Sequence, residues 1–403
     1  MKKFFREVYD TFKEEGLIFV LFLATCFTHN MDWGSIVYVG LLLIILIKVF
    51  FRPLKRLFDK TLIALLLFGV FYILFSPSFD LVDALRVLLG PSLFYIYGRD
   101  TVIRSQNTSH IIRKVILLMI VAISFPVWWA VIKNVLSGNL ISISSEEGAR
   151  WLTTWGQSHM AAATTYGLIA SFGLCGFGCF LMSKGKNSSL DPWAFLLCSV
   201  CSLLTTTYLI NRSGIVIVGI VTFVAFMYGV RGITWKTFLP LLLFMVIIVV
   251  FISKWGGTAL IAEAYSERES VVLGGDRTWR WLDALKRLFT NPFGWSDEFQ
   301  VGYIYVHNMW LDVARVAGIV PFFTLLFATF SSLKSNIALF RVKGNELSLL
   351  LLSLYSAVFS AYMIEPVIDA NIFYLMIFTW IWGIEKEVVV KNIHVHGLYF
   401  RHS

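Results

Sequence analysis

Long apolar runs broken by short polar punctuation set the pattern of this chain. Segments such as Gly40–Phe51 and Leu239–Ile252 are almost purely aliphatic or aromatic, and twelve comparable runs can be marked. They lie near 16–31, 35–51, 61–77, 81–98, 115–136, 158–182, 190–210, 213–230, 236–253, 308–332, 347–364 and 370–385. A helix needs about 20 mostly apolar residues to cross a hydrocarbon core. Lipid offers no water to unpaired backbone groups, so such runs predict helices. Strands of a membrane barrel would alternate over about ten residues, and these runs do not alternate. The expected fold is an all-α polytopic membrane protein of about twelve transmembrane helices, with 1–403 as one integral membrane domain. The fourth run is the weakest, because Asp83 and Arg86 interrupt it. Three residues apart on one helix, they read either as a local ion pair or as a functional intramembrane pair. Arg315 and Asp312 in the tenth run allow the same two readings.

Composition sharpens the class. Of 403 residues, 58% are apolar and only 15% charged, whereas a soluble domain carries about 25% charged residues. The net charge of +9 resides at run ends, which argues against nucleic acid and for membrane lipids as the partner of the cations. With a cytoplasmic N-terminus, 23 of the 34 lysines and arginines fall in cytoplasmic segments, and the short outer loops 29–34, 76–81 and 365–369 hold none. That distribution predicts an inner-membrane protein with both termini cytoplasmic. The polar segment Met1–Gly16 shows no cleavable signal. Cys26, Cys175, Cys179, Cys198 and Cys201 all lie in apolar runs and read as small buried residues. Trp128, Trp129, Trp380 and Trp382 read as an interfacial belt; Trp151 and Trp155 read as belt residues or as sugar-stacking ones.

Polar investment concentrates in one long outer loop, 254–307, which holds six of the nine outer cations. Within it, Asp276 follows two glycines as a candidate N-cap, and Asn291-Pro292 supplies a stop, so 274–289 predicts a helix. Trp281, Leu282, Leu285, Leu288 and Phe289 mark an apolar face, with Arg277, Arg280 and Arg287 on a neighbouring stripe. The plainer reading is an interfacial helix whose arginines touch lipid phosphates. The loop then gives Asn291-Pro292-Phe293-Gly294 and, at the mouth of the tenth run, His307-Asn308. Arg212 lies in the tight outer turn Asn211–Gly214. Several arginines and a histidine on one side suit an anionic phosphate substrate, because guanidinium binds phosphate oxygens bidentately. A near-neutral imidazole can take a proton from an attacking hydroxyl.

Arg212-Ser213-Gly214, Gly275-Asp276-Arg277 with Trp281 and Ala284, Asn291–Gly294, and His307-Asn308 followed by Gly318 occur in an order that resembles the O-antigen ligase and O-antigen polymerase superfamily. The motifs cover about 200–330, and Arg150 resembles an arginine these proteins carry before a mid-chain span. The resemblance implies a GT-C-type, metal-independent glycosyltransferase without cofactor. Its donor would be a polyprenyl-diphosphate-linked glycan and its acceptor a lipid-linked or lipid A-core glycan, with a chain-length regulator as a possible partner. The implied roles are Arg212 and Arg277 as diphosphate clamps and His307 as base, with Arg280, Arg150, Arg287 and Asn308 on the substrate. The motifs suit polymerase and ligase equally, and polymerase is the expected one. No Asp-x-Asp, Walker loop or Gly-x-Ser-x-Gly elbow occurs. The reading from another class is a twelve-span lipid-linked-oligosaccharide flippase, which would need cations along a path open to both sides.

Overall fold

The computed structural model describes residues 2–31, 34–51, 58–76, 81–105, 109–137, 151–157, 161–182, 191–209, 211, 213–228, 275–296, 305–341, 345–365 and 367–396. Among these the regular secondary structure is helical apart from one antiparallel two-residue pairing, β1 (Trp151–Leu152) with β2 (Ala161–Ala162). The first helices are α1 (Lys2–Thr28), α2 (Gly34–Phe50), α3 (Lys60–Phe75), α4 (Leu81–Arg104) and α5 (Ser109–Leu136). Then follow α6 (Ala163–Leu174), α7 (Gly176–Met182), α8 (Asp191–Tyr208) and α9 (Ser213–Met227). The last are α10 (Gly275–Thr290), α11 (Met309–Ala317), α12 (Ile319–Arg341), α13 (Glu346–Ile364) and α14 (Ile368–His396). Three of them, α5, α12 and α13, are long and apolar enough to cross a membrane, and several shorter apolar helices accompany them.

Eleven of the twelve apolar runs coincide with helices; the run 236–253 lies outside the described residues. Two runs need correcting. The sixth is broken at Cys175 into α6 and α7. The tenth is divided at Gly318, whose φ of 82° ends α11 before α12 begins. Ahead of the first run, the polar N-terminus is helical too, and Gly16 (φ 68°) breaks α1 where the apolar stretch starts.

The tightest packing is between α4 and α14, where backbones touch. A Cβ on Gly98 would lie 2.1 Å from the Trp380 carbonyl oxygen, and one on Gly383 would lie 2.1 Å from that of Tyr95. Small residues allow such approach where helices cannot rely on water to drive them together. Trp380, Trp382, Tyr95 and Phe94 fill this seam, and Trp128 is buried as well, its Nε1 donating to Ser202 Oγ at 3.2 Å. The belt expected of Trp128, Trp380 and Trp382 is therefore corrected: these rings face other helices. Trp129 remains exposed.

Buried ion pairs gather at one end of the bundle. Arg99 reaches Glu387 at 3.0 Å and Asp59, the N-cap of α3, at 3.2 Å. Asp100 takes Lys48 at 2.9 Å and Arg104 at 2.8 Å, and Arg104 continues to Glu15 at 2.9 Å. Lys114 pairs with Glu7 and Asp191, and Arg113 with Asp191 and Glu346. These contacts join α1, α2, α4, α5, α8, α13 and α14 and the start of α3. The end of α13, the starts of α11 and α14 and the β1–β2 segment lie towards the opposite end. Elsewhere Asp83 and Arg86 meet at 2.6 Å, the local pair that their spacing allows.

Candidate functional site

The site assembles where α10, α11 and the end of α13 converge. The helix expected in the long loop is present as α10. It rests on buried Ala284 and Leu288, while Leu282, Leu285 and Phe289 of the expected apolar face are exposed. Two side chains tie it to the segment before α11: Trp281 Nε1 donates to the Val306 carbonyl at 3.1 Å, and Arg280 donates to that of Tyr305 at 3.2 Å. Arg287 is held along its own helix by Asp283 at 2.8 Å.

Beyond α10 the Asn291–Gly294 motif makes a turn that locks onto the break between α11 and α12. The Gly294 N–H donates to the Asn291 carbonyl at 3.0 Å, the Trp295 N–H to that of Arg315 at 2.8 Å, and the Ile319 N–H to that of Pro292 at 2.8 Å. Gly294 (φ 102°) and Gly318 (φ 82°) are in the left-handed region that favours glycine. A Cβ on Gly318 would lie 2.0 Å from the Pro292 carbonyl oxygen. Two motifs read separately along the chain thus form one joint.

The segment Val306–Asn308 is wrapped around Asp312. One carboxylate oxygen accepts the Val306 N–H at 2.8 Å, the other the Asn308 N–H at 3.2 Å. Asn308 is the N-cap of α11, its Oδ1 accepting the Leu311 N–H at 3.2 Å. Its Nδ2 donates to the Met363 carbonyl at 3.2 Å, anchoring α11 to the end of α13. Asn308 is thus buried and engaged at both ends of its amide. Between these anchors His307 takes φ 57°, a conformation that costs an ordinary L-residue roughly 1–2 kcal/mol. Its ring is 19% exposed, and its Nδ1 lies 4.0 Å from Oε2 of Glu365.

Glu365 went unread in the sequence. It is the C-cap of α13 and is 1% exposed. The available signal was a carboxylate at the mouth of an apolar run, immediately ahead of Pro366. Arg315 stands 3.9 Å from Asp312, with its guanidinium 5.9 Å from the Tyr305 ring centroid.

Of the other expected site residues, Arg212 and Arg150 lie outside the described residues. Arg277 is in the first turn of α10, and its side chain is likewise outside them, as are 254–274 and 297–304 of the long loop. The described neighbours of Arg212 are held in place. Asn211 is buried and accepts the Ser213 N–H at 3.0 Å, and a Cβ on Gly214 would lie 2.4 Å from Thr206 Oγ1. Trp155 is exposed and meets Phe27 edge-on at 5.9 Å. No family model matches the chain, and no curated protein matches it.

Proposed function

We propose that this protein is a polytopic membrane glycosyltransferase that transfers a polyprenyl-diphosphate-linked glycan to an acceptor sugar hydroxyl on the outer face of a bacterial inner membrane. The observation that carries the reading is that Asn291–Gly294 locks onto Gly318 at the end of α11 while His307-Asn308 leads into the start of the same helix, beside the arginine-bearing α10. These residues are far enough apart in sequence that a loop serving only as a lipid contact has no need to bring them together. The twelve-span arrangement with both termini cytoplasmic belongs to the same reading, with the buried ion pairs at the inner end and the joint at the outer end.

In the proposed step the acceptor hydroxyl oxygen attacks the anomeric carbon of the donor. The bond from that carbon to the diphosphate oxygen breaks, and polyprenyl diphosphate departs with its electron pair. His307 takes the hydroxyl proton. Arg212 and Arg277 offset the charge that grows on the leaving group, a preorganised electrostatic role, and Arg280 and Arg150 flank the donor. The acceptor is a second lipid-linked chain in the polymerase version, which we favour, and lipid A-core in the ligase version.

The test is reconstitution of the purified protein with lipid-linked glycan, with and without an acceptor glycan. Acceptor-dependent formation of a glycosidic bond is the expected result. Movement of the lipid-linked glycan across the bilayer without bond formation would establish the flippase reading instead.

A further inference from the structure

We infer that Glu365 is the positioning residue of His307: its carboxylate holds the Nδ1 side of the ring, so that Nε2 faces the acceptor. The inference rests on the glycosyltransferase reading for its use, but the pairing itself stands on geometry. His307 Nδ1 is 4.0 Å from Glu365 Oε2, and the carboxylate side chain is 2% exposed against 19% for the imidazole. The approach is built by both backbones. Asp312 fixes the N–H groups on either side of His307, Asn308 ties the segment to the Met363 carbonyl, and the φ of 57° turns the residue between them. Glu365 follows Met363 by two residues and is set by its own N–H, which donates to the Ala361 carbonyl at 2.9 Å. Thus one bond, Asn308 to Met363, brings the histidine's segment and the carboxylate's helix end into register.

The chemistry follows from the tautomer. A carboxylate on the Nδ1 side favours the proton on Nδ1 and leaves the Nε2 lone pair outward, the arrangement a base requires. It also stabilises the imidazolium that forms when the acceptor proton is taken. Among the described residues, the other charged or titratable groups on the elements packed here include Tyr305 beside the ring, Asp312 and Arg315 on α11, and Arg280 on α10. Asp312 is occupied by backbone N–H groups and Arg315 stands towards Asp312 and the Tyr305 ring. Glu365 is therefore the carboxylate placed to act on Nδ1.

The experiment follows His307 itself as well as turnover. In purified protein, the pH dependence of diethyl pyrocarbonate modification of the His307 peptide, read by mass spectrometry, gives the ring's protonation midpoint without any substrate. An opposite charge at this distance favours the imidazolium, so Glu365→Gln should lower the midpoint relative to wild type. The acidic limb of kcat/KM for transfer should move down with it. Transfer at the plateau should drop by between about tenfold and the 10²–10⁴ that a general base supplies, with KM for the donor held. Glu365→Asp, which keeps the charge on a shorter arm, should keep a midpoint nearer that of wild type and recover part of the rate. A midpoint unchanged in Glu365→Gln overturns the pairing, whatever the activity. A lowered midpoint in a protein whose wild type transfers no glycan overturns the catalytic use of the pair, and the glycosyltransferase reading with it. If Glu365→Gln does not fold, a midpoint unchanged in Glu365→Ala overturns the inference in its place.

Discussion

At the scale of the residue, the arginines and His307 predict separable defects. Arg277→Ala and Arg212→Ala should each cripple transfer while the protein still inserts, because both charges lie outside the apolar runs. Lysine should restore little, since an ammonium cannot make the bidentate contact of a guanidinium. Transfer rates beside expression levels in membranes make the comparison, and full activity in both Arg277→Ala and Arg277→Lys returns α10 to the role of an interfacial helix. His307→Gln should lower the rate by roughly 10²–10⁴ while donor binding holds, because the arginines still grip the diphosphate. Equal loss of transfer and donor binding would mark His307 as structural. His307 and Asn308 were legible because they end a polar loop where an apolar run begins. Glu365 was not, because its relation to His307 exists only once Asn308 reaches Met363. The buried tryptophans were misread for a related cause: an indole suits an interface, and only the close approach at Gly98 and Gly383 places Trp380 and Trp382 inside.

Elements show where periodicity stops being informative. Most apolar runs became helices, since the requirement to satisfy backbone groups in lipid is local. The break at Gly318 is not local. Glycine is tolerated in membrane helices, so nothing in the run 308–332 announces that Pro292 supplies its carbonyl to Ile319 there. Likewise, α10 was legible as an amphipathic helix, but its packed face centres on Ala284 and Leu288, because Trp281 is drawn towards Val306. The joint yields a prediction at this scale. Gly318→Ala combines a left-handed backbone with a Cβ 2.0 Å from a carbonyl oxygen, and should cost about 2 kcal/mol or more. Asn308→Ala removes a cap, worth about 0.5–2 kcal/mol, together with the tie to α13. Thermal unfolding in detergent should show both as lowered midpoints, with transfer lost in proportion. A Gly318→Ala protein as stable and active as wild type would mean that the joint is not needed to hold the site.

Taken as a whole, the molecule has two unlike ends, and the contrast bears on whether it works from one side. The cations that the sequence assigned to a single side do meet acidic partners at one end: Arg99, Arg104, Lys48, Arg113 and Lys114 are all paired there. That they share one end was legible from run order, but their partners were not, because Glu15, Asp59 and Glu387 come from distant parts of the chain. A carrier that opens to both sides must break such contacts in each cycle, whereas an enzyme acting at the opposite end needs them only to hold helices together. Glu387→Ala leaves Arg99 buried without its Glu387 partner and should cost on the order of 3 kcal/mol. Removing both charges with Arg99→Met and Glu387→Leu should recover part of that loss, since apolar replacements can match a buried pair while Asp59 keeps the Tyr95 hydroxyl and the Leu62 N–H. The enzyme reading adds a further expectation: the double variant, once folded, should transfer glycan at a rate close to wild type, because neither residue approaches His307 or α10. The measurement is transfer by reconstituted single and double variants, normalised to folded protein. A double variant that regains stability but loses all glycan processing would identify the ionic end as a working gate, and the one-sided mechanism would be wrong.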